Sequence, residues 1–130
     1  MDTSLALTII GAVSFLIGTA FNAVPLAANQ KIMGDLHEEA VKPAASIRTM
    51  TGAFAMAIGI IALYCRNLPA EEARTLLTGL GIGYIILLAT LVLTKVRGFV
   101  DHLPMPAMII FAIFILSLIH ISEPTRRTPI

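Results

Sequence analysis

The sequence has little of what a secreted or nucleic-acid-binding domain needs. Its single cysteine, Cys65, excludes an intrachain disulfide, and tryptophan is missing altogether. Only 13% of the residues carry a formal charge, and the net charge is +1, with no lysine- or arginine-rich run that has interleaved aromatic side chains. These shortages argue against a nucleic acid as partner. We interpret Cys65 as a small apolar residue and not as a reactive thiol.

Long apolar stretches dominate the sequence. Hydrophobic residues make up 57% of the 130 residues, and four stretches contain no formally charged side chain: 5–30, 49–65, 75–94 and 103–119. One helical crossing of a bilayer core takes about 20 apolar residues. We therefore predict an all-α fold, a four-helix transmembrane bundle with a short interfacial segment between helices 1 and 2, in one membrane domain over 1–115.

The distribution of basic residues predicts the orientation. The first apolar stretch is longer than the core of a signal peptide and has no basic residue before it, so we expect it to remain as a membrane helix. Under the positive-inside rule, the side with more lysine and arginine faces the cytoplasm. This places the N-terminus outside. The predicted cytoplasmic residues are Lys31, Lys42, Lys95 and Arg97, against Arg66 and Arg74 outside.

Proline residues mark the predicted helix starts. Proline is tolerated in the first turn of a helix because its missing N–H would be unpaired there. Pro43 is placed in the first turn of helix 2, Pro69 at the start of helix 3 and Pro104 at the start of helix 4. Between helices 1 and 2, residues 28–42 repeat apolar side chains four apart. This spacing fits an amphipathic helix at the membrane interface, with a solvated loop as an equal alternative.

Glycine residues predict the faces through which the helices pack. Membrane helices associate by close backbone approach, and small residues mark the contact faces. At about 100° per residue, each of helices 1, 2 and 3 gathers glycine on one side, and the face of helix 2 also carries Arg48. The residues assigned to helix packing are Gly11, Gly18, Gly52, Gly59, Gly79 and Gly83.

Arg48 is the residue of helix 2 that most needs a partner. A charged side chain inside a membrane is costly, so it pairs or extends toward water. The predicted topology brings Asn22, Arg97, Asp101 and His102 to the same end of the bundle. Two interpretations are open. Arg48 and Asp101 form a structural pair that holds helix 2 to the turn after helix 3, or the cluster binds an anionic or polar headgroup or supports a proton-linked step.

The sequence contains no clear catalytic or metal-binding pattern. Asp35, His37, Glu38 and Glu39 lie close together, but no second histidine or thiolate has suitable spacing, so we interpret them as a solvated polar face. No nucleophilic triad order or phosphate-binding glycine loop occurs. We expect no metal and no cofactor. Membrane lipids are the expected partners, with a membrane protein or a second copy of the chain as further candidates.

The C-terminal stretch resembles something other than natural coding sequence. From Leu116 to Arg126 it reads LSLIHISEPTR, which resembles the translation of the transposase-end adapter used in preparing sequencing libraries. We therefore assign no function to residues 116–130. We expect the native part of helix 4 to be truncated near Ile115 and the apolar LSLI of the tail to extend it.

The remaining motifs resemble a known family. They are FNAVPLAANQKIMG at the end of helix 1, SIRTMTGAFAMAIG at the start of helix 2 and VRGFVDHLPMP after helix 3. Their order and spacing resemble the small four-helix bacterial membrane proteins catalogued as domain of unknown function 4345, over residues 5 to about 115. The resemblance implies a fold and a membrane location, and it implies no established activity.

Two functions follow from these observations. The sequence favours a non-enzymatic accessory or lipid-contacting membrane module, because no catalytic constellation is present. The alternative is a small membrane enzyme or carrier for a lipid-soluble molecule, acting at the end that holds Arg48, Arg97, Asp101 and His102. Tight packing closed by glycine contacts would favour the first, and a molecule bound between the helices at that end would favour the second.

Overall fold

The computed structural model describes residues 2–101 and 103–122, which form an all-α structure of five helices. Contacts divide the chain into two compact units. The first unit, Leu7–Arg66, contains most of α1 together with α2 and α3. The second unit contains α4 and α5 and also includes the first residues of the chain. The helices are α1 (Thr3–Ala23), α2 (Pro25–Met33), α3 (Glu38–Tyr64), α4 (Ala70–Val96) and α5 (Met105–Ser122).

Three of the described helices, α1, α3 and α4, are long and apolar enough to cross a membrane. The fourth apolar stretch forms α5, whose apolar part, Met105–Ile121, is shorter. The predicted all-α class is therefore confirmed, and three potential membrane helices stand where the sequence predicted four.

The connection between α1 and α3 differs from the prediction. The interfacial segment predicted over 28–42 is neither one helix nor one loop. The short helix α2 begins at Pro25, where a proline fits the first turn. It ends at Met33, and its C-cap is Gly34, whose φ of +76° is left-handed and favours glycine. The remaining residues of 28–42 then belong to a short linker and to the start of α3.

The start of α3 was predicted too late. The helix begins at Glu38, so Pro43 lies inside it. Its missing N–H leaves only the Glu39 carbonyl without a helical donor, and Glu39 is exposed, where water can take the donor's place. Glu38 and Glu39 stand in the first turn, where negative charge complements the helix dipole. Arg48 consequently lies about three turns into the helix, deeper than predicted.

In the Leu7–Arg66 unit, α1 and α3 meet at four glycines. A Cβ placed on Gly59 would lie 2.7 Å from the Gly11 carbonyl oxygen, and one on Gly52 would lie 2.7 Å from the Gly18 carbonyl oxygen. The pairing order shows that the helices run antiparallel. The similar segments GAVSFLIG and GAFAMAIG therefore pack against each other, because each supplies a glycine at both of its ends.

In the second unit, α4 packs on α5 through aromatic and bulky residues. The Tyr84 ring lies 5.7 Å from the Phe111 ring and 5.3 Å from the Phe114 ring. A Cβ on Gly81 would be in ordinary contact with Leu118, which is 1% exposed. The α5 helix thus continues without interruption past residue 115, into the apolar LSLI stretch that was expected to extend it.

The glycine face predicted for α4 is not the face that packs on α5. Nothing in the described structure lies within 4 Å of a Cβ placed on Gly79 or Gly83. The buried residues of α4 are Ala73, Leu77, Gly81 and Tyr84. Tyr84 fixes this face because its large ring gains more contact with Phe111 and Phe114 than two glycines can provide.

The junction after α4 is a well-defined helix end. Gly98 has a φ of +77°. Its N–H donates to the Lys95 carbonyl at 3.0 Å, and the Phe99 N–H donates to the Thr94 carbonyl at 2.9 Å. These two bonds form a Schellman motif, in which a left-handed glycine satisfies the last carbonyls of the helix.

Candidate functional site

Arg48 lies where the three helices of the first unit meet. Its Nε donates a 2.7 Å hydrogen bond to Asn29 Oδ1 on α2. Its guanidinium carbon lies 4.9 Å from the centre of the Phe21 ring on α1, within the range of a cation–π contact. We call Phe21, Asn29 and Arg48 the arginine cluster. The Arg48 guanidinium of α3 thus contacts both α2 and α1.

Asn29 is the partner that sequence reasoning missed. It is 2% exposed and is the buried residue of α2. The sequence-based interpretation pairs Arg48 with the carboxylate of Asp101. A guanidinium has only donors, however, and a carboxamide oxygen can also accept from it. The lone asparagine in a short helix that opens with Pro25 was the available signal.

The Asn29 side chain carries an unused donor. Its Nδ2 is buried and has no hydrogen-bond partner within the described part of the chain. The identity of the two amide atoms follows from chemistry, because the atom facing the Arg48 Nε must be the acceptor oxygen. A buried donor without a partner costs about 1–3 kcal/mol. This atom is therefore the position in the cluster that an additional acceptor would satisfy.

Asn22 bridges the α1–α3 contact. Its Nδ2 donates to the Gly18 carbonyl and to the Thr49 carbonyl, both at 3.2 Å, and lies 3.7 Å from Met56 Sδ. It was predicted to join Arg48 in a polar cluster. The structure gives it backbone and sulfur partners in place of the guanidinium, so its role is to hold α1 against α3.

Two other predicted members of the cluster, Arg97 and Asp101, belong to the second unit. Arg97 is exposed and caps α4, with its backbone N–H bonded to the Leu93 carbonyl. Asp101 is exposed in the turn before α5. His102 lies outside the described residues. The pairing of Arg48 with Asp101 stays a prediction.

Other chemistry is limited in the part of the chain that the structure covers. No group of three histidine, cysteine, aspartate or glutamate side chains there could hold a metal ion. A shallow groove between α4 and α5 has an almost wholly apolar lining, with Thr78 as its hydroxyl residue. That hydroxyl donates to the Arg74 carbonyl at 2.8 Å. The arginine cluster is therefore the candidate functional site.

Comparison with known proteins adds no relative to this description. The chain matches no protein-family model, no curated protein and no solved structure.

Proposed function

We propose that this protein is a small integral membrane protein that acts as a non-enzymatic, lipid-contacting module. The observation that carries the proposal is the glycine-closed contact of α1 and α3, with a Cβ position on Gly59 only 2.7 Å from the Gly11 carbonyl oxygen. Membrane helices associate by close backbone approach of this kind, because lipid tails are as apolar as the side chains and the hydrophobic effect does not drive the helices together. It also leaves no room for a ligand between these two helices.

The outer surfaces of the helices support a lipid environment. The apolar windows of α3 and α4 are only 17% buried, and that of α1 is 33% buried. Large side chains stand out from them, with Leu16 and Phe54 each 68% exposed and Ile86 60% exposed. A water-soluble monomer rarely exposes so much contiguous apolar surface, whereas lipid tails would cover it.

The distance between Arg48, on α3, and Arg66, just after α3, fits the thickness of a bilayer. From Arg48 to the helix end at Tyr64 the helix rises roughly 24 Å at 1.5 Å per residue, and Arg66 follows just beyond. The hydrocarbon core of a bilayer is roughly 30 Å thick. Arg48 and Arg66 would then reach opposite headgroup layers. In this proposal α5 makes the fourth crossing, in a bacterial inner membrane.

The second candidate is a small enzyme or carrier for a lipid-soluble molecule. One observation favours it: the buried Asn29 Nδ2 without a partner, beside the Arg48 guanidinium. In this second proposal, Arg97, Asp101 and His102 would act together with Arg48. Turnover of a lipid-soluble substrate that is lost on replacing Arg48 and Asp101 would support this candidate over the first.

Two proposals concern identity. We propose that the chain belongs to the domain of unknown function 4345 family, because of the motifs around Arg48 and Asp101.

We also propose that residues 116–130 are adapter-encoded. The buried position of Leu118 is compatible with this origin, because any apolar stretch in register can extend a helix. Sequencing the gene across codon 115 from unamplified DNA decides the second proposal.

Membrane orientation provides the test of the proposed function. We expect a Cys65→Ser protein carrying Leu68→Cys to react with a membrane-impermeant maleimide in intact cells. The same background with Phe99→Cys should react only after the membrane is opened, because the positive-inside rule places that turn in the cytoplasm. Phe99 is suitable because it is 72% exposed, whereas Gly98 has the left-handed φ.

The control for this experiment is the Cys65→Ser protein alone, which should not be labelled. Labelling of Phe99→Cys from outside would refute the orientation. Release of the protein by alkaline carbonate would refute the membrane location itself.

A further inference from the structure

We propose that the arginine cluster is a binding site for a phosphate group, supplied by the headgroup of an anionic phospholipid. This inference rests on the membrane location proposed above and deepens it by naming the ligand chemistry. Its three residues come from three helices, and all three belong to the Leu7–Arg66 unit. The site is thus complete within one compact part of the chain.

The edge of the Arg48 guanidinium that carries its two terminal nitrogens is free to bind a ligand. Nε is occupied by Asn29 Oδ1 at 2.7 Å, and the Phe21 ring covers one face at 4.9 Å. The two terminal nitrogens of Arg48 have no hydrogen-bond partner among the described residues, and the side chain is only half-buried. Arginine recognises phosphate with paired, charge-assisted hydrogen bonds. A guanidinium already oriented through Nε loses less freedom when it makes them.

Asn29 offers the second donor. It is 2% exposed, and its Nδ2 has no acceptor in the described structure. The carboxamide is bonded directly to Arg48, so the free Nδ2 and the terminal guanidinium nitrogens lie on neighbouring groups. An oxyanion presents several acceptor oxygens. One phosphate oxygen could accept a hydrogen bond from Asn29 Nδ2 while other oxygens accept from the Arg48 guanidinium. The free-energy cost of the unpaired Nδ2 would then be removed.

The position along α3 selects a lipid as the source. The apolar run that begins at Thr49 starts immediately after Arg48, so the guanidinium lies at the level of the headgroups if α3 spans the membrane. The nearby segment does not form a polybasic patch, because Lys31 and Lys42 are offset by Asp35, Glu38 and Glu39. Binding would therefore depend on the hydrogen-bonded site and not on diffuse charge.

Native mass spectrometry of the detergent-purified full chain tests the proposal. The probes are phosphatidylglycerol, diacylglycerol with the same acyl chains, and inorganic phosphate. We expect phosphatidylglycerol adducts to exceed diacylglycerol adducts about tenfold, since charge-assisted hydrogen bonds to a phosphate are worth about one decade or more in affinity. Arg48→Gln should remove most of this difference. Arg66→Gln, which removes an exposed arginine just past the other end of α3, should change it less than about twofold.

Asn29→Asp guards against a folding artefact. The carboxylate still accepts from the Arg48 Nε, so the helices should stay together, but its charge repels phosphate. We expect a loss of phosphatidylglycerol adducts of about tenfold, with unchanged helicity by circular dichroism. If Arg48→Gln fails to fold, this variant decides the question.

The outcomes separate the alternatives. Equal adducts of the two lipids, or full retention by a folded Arg48→Gln or Asn29→Asp protein, would overturn the site. Arg48-dependent binding of inorganic phosphate that displaces the lipid would support the phosphate chemistry and assign the source to a soluble phosphate. A protein that resists carbonate extraction yet shows no Arg48 dependence refutes the site alone, while one that is extracted refutes the membrane proposal.

Discussion

Gly59→Leu should abolish folding of the unit that contains α1 and α3, whereas Gly79→Leu should leave the protein folded. At Gly59 a new Cβ would stand 2.7 Å from both the Gly11 carbonyl oxygen and the Phe15 backbone nitrogen, so two helix backbones would have to separate. At Gly79 nothing described lies within 4 Å. The two substitutions are chemically identical and both positions are helical. Their difference therefore reports the α1–α3 contact.

Alanine at the same positions gives a graded version of this result. Gly59→Ala should lose about 1–3 kcal/mol of stability from overpacking, partly offset by the gain of about 1 kcal/mol in helix propensity. Gly79→Ala should have only that gain. The free energy of unfolding in mixed detergent micelles, followed by circular dichroism, measures both. Equal stability of the two variants would show that α1 and α3 do not pack at these glycines.

Tyr84→Ala should be the most damaging single change in the second unit. Tyr84 is 5% exposed and its ring touches those of Phe111 and Phe114, at 5.7 and 5.3 Å between centres. Removing a large buried ring costs about 3 kcal/mol or more, because both the aromatic contacts and the filled volume are lost. Tyr84→Phe keeps the ring stack and should be less damaging than Tyr84→Ala.

The matched control is Tyr64→Ala, at a tyrosine that is 90% exposed. It should change the free energy of unfolding by less than about 0.5 kcal/mol. The same detergent titration measures all three variants. A Tyr84→Ala protein as stable as Tyr64→Ala would contradict the packing of α4 on α5 through this ring.

The helical class and three of the long helices could be predicted from the sequence because both follow from apolar length. Apolar runs bounded by Arg48 and Arg66, or by Arg74 and Lys95, leave few alternatives to a long helix. The glycine spacing in GAVSFLIG and GAFAMAIG also indicated the faces on which α1 and α3 meet in the structure. Close backbone approach leaves a direct trace in sequence, since only small residues permit it.

Other features depended on contacts that the pattern does not encode. The start of α3 at Glu38 lies before the boundary that Pro43 predicts, because one lost hydrogen bond on an exposed turn is tolerated. In α4 the ring of Tyr84 determines the face that packs on α5, and the sequence pattern did not single it out. A packing role for Gly79 and Gly83 stays a prediction. Asn29 was missed because its burial depends on where α2 ends, at Met33, and sequence alone gives such boundaries poorly.

The depth of each α3 residue in a lipid bilayer is the decisive test of whether this helix spans the membrane. In the Cys65→Ser protein reconstituted in lipid vesicles, a nitroxide is placed in turn at positions 46 to 66, leaving Arg48, Gly52 and Gly59 unchanged because their contacts hold the helices together. Its collisions with oxygen and with a water-soluble nickel chelate are measured. A membrane-spanning α3 should give high oxygen and low nickel access from Thr49 to Tyr64, most clearly at exposed positions such as Phe54 and Ile61. Nickel access should rise toward both ends, at Ile47 and at Arg66. Nickel access throughout the helix would contradict a membrane-spanning α3.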